Sequence, residues 1–306
     1  MQIKKLIKSQ RLRHYLMKCG FWLPDIIMLS IQYRLTYNKR WPNLRHPERF
    51  TEWIQYYKMH YRNPVILQCV DKFRVREYVR DKIGEEYLVP LYAVTTNASS
   101  IDFDTLPTKF VIKTTDGGSG DNVLIVKDKS SLDISDTIKH IDSWRGKKYY
   151  IISREWAYRG AKSSQIIVEK LLESDANADG SIDDYKFLCF DGKFRYLWID
   201  KDRYSNHRRG FWDEHLNFMP EVVSDHPTFS TPPVLPDNIA DMISVAEKLA
   251  ADFPFVRVDL YNISGKIIFG ELTFYPWSGY VRFSPDSFDF TLGKLFGQTA
   301  WVKKRI

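Results

Sequence analysis

Apolar residues recur at helical spacing after His46-Pro47. Phe50, Trp53, Ile54, Tyr57 and Tyr61 share one face, and Pro47 suits a first turn. Asn63-Pro64 ends that run. A second helix is predicted over Val65–Val79, closing in the charged stretch Arg80–Glu86, so the chain reads helical and basic up to about residue 84. The pattern then shifts to alternation and to β-branched and aromatic residues. Strands are predicted at Tyr87–Val94, Lys109–Thr114 and Val123–Val126, a helix at Asp136–Trp144 and an apolar strand at Gln165–Leu172. Ala176–Ser181 reads as a surface loop between lobes.

The second half repeats the mixture. Tyr185–Phe190 and Phe194–Ile199 flank Asp191-Gly192, and Val256–Asn262 and Lys266–Leu272 flank Ser264-Gly265; both are hairpin signals. Between them, residues 204–238 are proline-rich and aperiodic, which predicts a long surface excursion. Asn238–Phe253 places Ile239, Met242, Ile243, Ala246, Leu249 and Ala250 on one helical face. No internal repeat or low-complexity tract appears. The expected class is α+β, with mostly antiparallel hairpins and a helical front end.

Composition narrows the function classes. The chain has 306 residues, 44% hydrophobic and 27% charged, which excludes wholesale disorder and allows one large core or two coupled lobes. A net charge of +7 favours anionic partners: nucleotides, phosphorylated or uronic sugars, acidic lipid or nucleic acid. Against nucleic acid, the aromatics sit in core-like positions and no RNA-binding signature is interleaved with the basic residues. Lys4, Lys5, Lys8, Arg11, Arg13 and Lys18 crowd the start, and Lys303, Lys304 and Arg305 the end. Each cluster reads as a solvated basic face or, together with Phe21, Trp22 and Leu23, as loose attachment to an anionic membrane surface. Phe21–Ile31 is too short to span a bilayer, is interrupted by Pro24 and Asp25, and carries no cleavage site. Three widely spaced cysteines, Cys19, Cys69 and Cys189, fit a reducing compartment. A cytoplasmic protein is expected.

Three stretches carry candidate chemistry. Lys113-Thr-Thr-Asp-Gly-Gly-Ser-Gly-Asp121 lies between two predicted strands; its glycines leave N–H groups able to face phosphate oxygens, and Lys113 could neutralise the same phosphate. It is neither a P-loop nor Gly-x-Gly-x-x-Gly. The alternative is a plain flexible turn. Arg257-Val-Asp259 and Glu271-Leu-Thr273 lie on partner strands, with Ser264-Gly265 almost midway between the two acids, so they can be cross-strand neighbours. Paired acids repel unless a cation lies between them, which suits Mg²⁺ and nucleotide phosphates; pairing with Arg257 or a lysine is the structural alternative. Ile166–Glu173 is an apolar strand running into a polar end, a hinge for an adenine edge or a plain buried strand.

In order, HPERFTEW, VDKFRVREYV, KFVIKTTDGGSG, SREWAY, DYKFLCFDGKF, DKDRYSNHRRGFWD and FPFVRVDLYNISGKIIFGELTFYPWSG resemble the TupA-like ATP-grasp family over roughly residues 45–295. The resemblance implies an ATP-grasp fold: two α/β lobes with mostly antiparallel sheets holding ATP between them, preceded by a helical N-terminal region. The implied division is a basic helical region 1–84, a small lobe 85–172 with the glycine-rich lid, and a large lobe 173–306 with the metal and acceptor site. It further implies that Lys72 and Lys113 contact ATP phosphates, and that Asp116, Gly117, Gly118, Ser119 and Gly120 form the lid. Glu169, Lys170 and Leu171 would receive adenine, and Glu173 the ribose. Asp259 and Glu271 would hold Mg²⁺, with Thr273 standing where most ATP-grasp enzymes have a metal-binding Asn. Arg257 would face the transferred phosphoryl group. Asp184, Lys186, Arg203, His207, Arg208 and Arg209 would line the phosphate and acceptor side, although His207 shows no carboxylate partner by sequence. Trp277-Ser-Gly279 would border the acceptor pocket or simply pack.

The family is associated with teichuronopeptide and other surface-polysaccharide biosynthesis. The implied activity is ATP-dependent carboxylate–amine ligation through an acyl phosphate, joining an amino acid to an anionic, uronic-acid-containing glycan. Two rivals stay open: an ATP-using sugar-modifying transferase or kinase, and a nucleic-acid-binding module.

Overall fold

The computed structural model describes residues 20–305 except 21, 38, 117–121, 145–149, 160–163, 175–176, 178–179 and 204. In chain order come helices α1 (Asp25–Thr36), α2 (Phe50–His60), α3 (Val65–Cys69) and α4 (Val75–Ile83), then strands β1 (Leu91–Thr95), β2 (Phe110–Thr114) and β3 (Val123–Val126). Helices α5 (Ile134–Asp142), α6 (Tyr150–Ser153) and α7 (Trp156–Arg159) precede β4 (Ile166–Lys170), β5 (Asp184–Phe190), β6 (Lys193–Lys201) and β7 (Arg208–Trp212). Helix α8 (Ile239–Ala250), β8 (Phe255–Ile263), β9 (Lys266–Thr273), α9 (Ser287–Gly297) and α10 (Ala300–Lys303) complete the fold. None of the helices among the described residues is long and apolar enough to cross a membrane.

The strands form two antiparallel sheets, a four-stranded one ordered β1-β4-β2-β3 and a five-stranded one ordered β7-β6-β5-β8-β9. This is the expected α+β architecture. Each sheet has its own core. Phe103, Phe110, Ile112, Ile141, Trp144 and Val168 pack under the smaller sheet. The larger core joins strand residues Phe187, Phe190 and Phe255 to the N-terminal helices. Phe50 of α2 meets Phe255 edge-on at 5.2 Å, Trp53 stacks on Phe296 of α9 at 5.6 Å, and the buried Tyr57 hydroxyl donates to the Phe255 carbonyl at 3.2 Å. Helix α9 can approach α2 this closely because position 293 is glycine: a Cβ there would lie 2.1 Å from the Glu48 carbonyl oxygen.

Both hairpin turns form as their sequences predict. Asp191-Gly192 and Ser264-Gly265 have positive φ at both positions (47° and 72°, 51° and 84°), the requirement of a type I′ turn.

Elsewhere the structure departs from the sequence reading. The helix expected over Val65–Val79 is two helices, because the Asp71 carboxylate accepts from the backbone N–H groups of Phe73 and Arg74 at 2.9 Å and turns the chain. That turn lets the Lys72 N–H donate to the Thr115 carbonyl at 3.0 Å, tying it to the end of β2. The strand expected from Tyr87 begins only at Leu91, after a 3-10 turn at Glu85–Tyr87 and Pro90, which has no N–H to donate. The stretch 204–238 contains the edge strand β7. Helix α2 begins at Phe50, so Pro47 precedes it rather than opening it.

Candidate active site

Side-chain alternation and register gather a charged row on one face of the larger sheet. Arg209 is paired with Asp200, Asp200 with Asp184, Lys186 with both Trp198 and Asp259, Asp259 with Glu271, and Arg257 with Thr273. A regular two-residue hairpin would instead pair Asp259 with Gly270 and put Glu271 on the opposite face. The register shifts by one between Asp259 and Leu260, with Gly270 as the extra residue; that β-bulge makes the two acids neighbours. A Cβ at 270 would come within 3.0 Å of the Asp259 carbonyl oxygen, which is why the bulge residue is glycine.

The row is a closed ion-pair network. The Arg257 guanidinium donates to both Asp259 oxygens at 2.6 Å and to Glu271 Oε1 at 2.7 Å. The pairing with Arg257 and a lysine, the structural alternative to a metal ion between the acids, is present. Lys186 Nζ donates to Asp184 and, at 2.7 Å, to Asp259. Asp184 also accepts from Arg203 at 3.0 Å. Burial pushes the Asp259 carboxyl up to about 6, even with Arg257 and Lys186 working against it. For Glu271 desolvation is incomplete, its side chain being 51% exposed, and Arg257, Lys186 and Lys72 outweigh it, so its carboxyl falls to about 2. Burial lowers the Arg257 pKa, but Asp259 and Glu271 more than reverse this, and the guanidinium stays charged.

Two members were invisible by spacing. Asp200 accepts from Arg209 at 2.6 and 3.1 Å and from His207 Nε2 at 3.0 Å, so His207 does have a carboxylate partner. His207 packs in turn against His226, with centroids 3.7 Å apart and the rings tilted by 33°. Trp198 stacks on Trp277 at 4.5 Å, and the Arg209 guanidinium lies 5.3 Å from the Trp277 ring. The alternation in Trp198-Ile-Asp200, set against Asp184 and Lys186 on the next strand, is the signal that could have found both. Arg208 points elsewhere and donates to the Thr228 carbonyl at 3.0 Å.

Trp277 is held by a turn with three successive left-handed residues, Trp277 (φ 49°), Ser278 (54°) and Gly279 (70°). For Trp and Ser that conformation costs about 1–3 kcal/mol each, so the surroundings must impose it. Lys58, whose side chain is 0% exposed, donates to the Ser278 carbonyl at 2.8 Å, to Ser278 Oγ at 2.6 Å and to the Ser153 carbonyl at 2.9 Å. Gln55 donates to the Ser278 and Gly279 carbonyls, and Ser278 Oγ donates to Glu155 at 2.7 Å.

The smaller sheet carries a second charged group. Lys113 pairs with Glu169 at 2.5 Å, and Arg76 approaches the same carboxylate at 3.3 Å. The Lys72 ammonium is lowered by burial; Glu271 opposes this and Lys113 adds to it, so these groups share one electrostatic environment with Asp116. Asp116 accepts from Ser164 at 2.5 Å. Gly117, Gly118, Ser119 and Gly120 lie outside the described residues, as does Asp121. Their flanks are fixed: Lys113 is paired with Val123, so the glycines connect β2 to β3. Lys170 ends β4, its N–H donating to the Pro90 carbonyl at 2.9 Å, and Leu171 follows it. Glu173 pairs with Lys109 at 2.9 Å on the exposed rim. The basic start of the chain and Cys19 also lie outside the described residues; Cys69 and Cys189 are buried free thiols.

Several solved structures are similar to parts of this chain. The D-alanine–D-alanine ligase of Bacillus anthracis is 18% identical with a TM-score of 0.46, covering 78% of this chain and 69% of its own. The same enzyme from Helicobacter pylori is 17% identical, TM-score 0.44, covering 76% and 61%. N5-carboxyaminoimidazole synthetase from Staphylococcus aureus is 15% identical, TM-score 0.41, covering 67% and 44%. The chain thus spans less than two thirds of the length of the last two. No curated protein matches. The TupA-like ATP-grasp family model matches residues 52–297, from helix α2 through both sheets and the carboxylate hairpin to α9, and the chain belongs to that family of ATP-grasp enzymes.

Proposed function

We propose that the chain is an ATP-dependent carboxylate–amine ligase that joins an amino acid to a uronic-acid-containing surface glycan or its precursor. The observation that carries the reading is the Asp259–Glu271 pair, made neighbours by the bulge and bridged by Arg257, with the Lys72 ammonium close enough to Glu271 for the two charges to attract. Lys72, Lys113 and the loop 116–120 hold the triphosphate. Glu169, Lys170 and Leu171 receive adenine. The ribose role stays with Glu173, which must then exchange its bond to Lys109. The reaction needs charge neutralised on a transferred phosphoryl group rather than a protein nucleophile.

The donor set suits Mg²⁺. Two carboxylates and the Thr273 hydroxyl, 2.9 Å from Glu271 Oε1, are hard oxygen ligands. Bound there, Mg²⁺ would neutralise phosphate charge. Arg257 would then be drawn toward the phosphoryl group, while Lys186, Arg203, His207 and Arg209 orient the acceptor carboxylate. Arg203, which reaches Asp184 from the solvent side, and Trp277, partly exposed and braced by Trp198, support an anionic acceptor with a ring to stack on. The site of action is the cytoplasm, with peripheral contact at the inner membrane surface.

The test is ADP release from Mg-ATP with uronic acids and a panel of amino acids. Release should require both, and the product should be an amide; release without an amine, yielding a phosphorylated sugar, would overturn the reading in favour of a kinase. The raised Asp259 carboxyl adds a pH signature. Protons compete for it below about 6, so the Mg²⁺-dependent part of ATP affinity should fall as pH drops through that value. Glu271, at about 2, stays ionised throughout. Titration calorimetry between about pH 5 and 8 with and without Mg²⁺ measures this; a flat profile removes Asp259 from the metal site.

A further inference from the structure

Helix α1 is apolar on two faces. One is spent on the protein: Met28, Leu29 and Tyr33 are buried, and the Tyr33 hydroxyl lies 3.0 Å from Thr51 of α2. The other is open. Ile27 at 43% and Leu35 at 44% exposure mark that face, with Ile26 exposed to 51% in the first turn, Trp22 before the helix at 72% and Trp41 after it at 55%. Five of the eleven large exposed hydrophobics of the described chain fall within these twenty residues. That concentration marks a patch rather than ordinary scatter. A helix apolar on both faces is normally buried on both.

Charge identifies what covers it. Residues 1–45 contain Lys4, Lys5, Lys8, Arg11, Arg13, Lys18, Arg34, Lys39, Arg40 and Arg45 but a single acid, Asp25. That acid is already taken by Arg154 at 3.0 Å and Arg159 at 2.6 Å. The Arg34 guanidinium lies 4.6 Å from the Trp41 ring, so the patch carries cations at its edge as well as apolar groups at its centre. Two tryptophans flanking an isoleucine–leucine face, with Arg34 beside Trp41 and a sequence rich in lysine and arginine leading into the helix, suit the headgroup boundary of an anionic bilayer, although Arg40 also approaches Asp286 at 3.9 Å.

We propose that helix α1, flanked by Trp22 and Trp41, lies in the plane of an anionic membrane surface and holds the enzyme there with its Ile27–Leu35 face against the lipid. The inference makes the membrane element of the proposed function specific. It is independent of the ligase reading, because vesicle binding and ADP release are measured separately. The docking surface is α1 rather than the basic C-terminus, where Arg305 stacks on Trp301 and donates to the His60 carbonyl.

The experiment is flotation of the full chain with vesicles of phosphatidylcholine alone or mixed with phosphatidylglycerol. The chain should float with the mixed vesicles at low salt. Binding should weaken roughly tenfold at about 0.5 M salt, where the surface potential is screened. The double variant Ile27→Glu/Leu35→Glu should bind roughly tenfold more weakly at low salt, because carboxylates would meet an anionic interface. Both positions are exposed, so the variant should keep the parental melting temperature and its shift with Mg-ATP. Three outcomes overturn the proposal: no flotation of the parent with the mixed vesicles at low salt, equal flotation of parent and variant, or a parental dimer that the variant abolishes while neither binds vesicles. The last would mean that a second copy covers the face.

Discussion

Glu271→Gln is expected to remove most ATP turnover, about 10²- to 10³-fold, while barely changing the ligand-free protein. Gln keeps the shape of the side chain and removes one charge. In the ligand-free chain that charge faces Arg257 on a side chain 51% exposed, and an exposed pair contributes only about 0–1 kcal/mol. Arg257 also keeps both bonds to Asp259. The sequence alone suggests relief of like-charge repulsion and a slight gain; with Arg257 between the acids, a slight loss is expected instead. With ligand the difference is large. At a ligand concentration of about 100 times Kd the parent gains about 2.7 kcal/mol, and a hundredfold weaker variant only about 0.4. Melting temperatures with and without Mg-ATP, beside ADP release, measure both. A variant that keeps the parental ligand-induced shift would remove Glu271 from the nucleotide site.

Lys58→Met should cost about 3–5 kcal/mol of stability, the usual result of deleting one member of a buried charged cluster. Met fills the space but leaves the Ser153 carbonyl and the Glu155 carboxylate without their cation, and the Ser278 carbonyl with Gln55 alone. The left-handed turn then loses its main restraint, and Trp277 should leave Trp198. Near-ultraviolet circular dichroism should report the lost stack. Acceptor KM should rise while the shift with Mg-ATP persists, because the nucleotide residues lie on other strands. Burial pushes the Lys58 ammonium down to about 8 from its ordinary 10.5. Between those values the unfolded chain holds the proton more tightly, so the parent should gain stability over the variant as pH rises from about 8 to 10.5. An unchanged melting temperature together with an unchanged dichroism spectrum would refute the role.

The sequence made much of this legible. The two turns, the alternation around Arg257, Asp259, Glu271 and Thr273, and the ordered motifs located the larger sheet and its charged hairpin. Three things escaped for physical reasons. The Asp71 side chain competes with helical hydrogen bonding, and periodicity counts only apolar positions, so the break that ties Lys72 to Thr115 was hidden. Asp200 gains its importance from strands β5 and β7, and its neighbours in sequence give no hint of Arg209 or His207 as partners. The Lys109–Glu173 and Lys58–Ser278 bonds join residues far apart in the chain, beyond the reach of any local spacing.

The extra residue at Gly270 also bears on how the hairpin tolerates length changes. The bulge divides it into an outer part, from Leu260 to the Ser264-Gly265 turn and back to Phe269, and an inner part carrying the acids. Deleting Gly270 would merge the two and still leave Glu271 opposite Asp259, because Phe269 already faces Leu260 and Glu271 would follow it directly. Losing a residue from the Lys266–Phe269 side of the outer arm while keeping position 270 would let the bulge vanish, again with the acids opposed. The hairpin thus tolerates the loss of one residue between Lys266 and Gly270, and of one only, with the carboxylates still opposed; a second loss would carry Glu271 past Asp259.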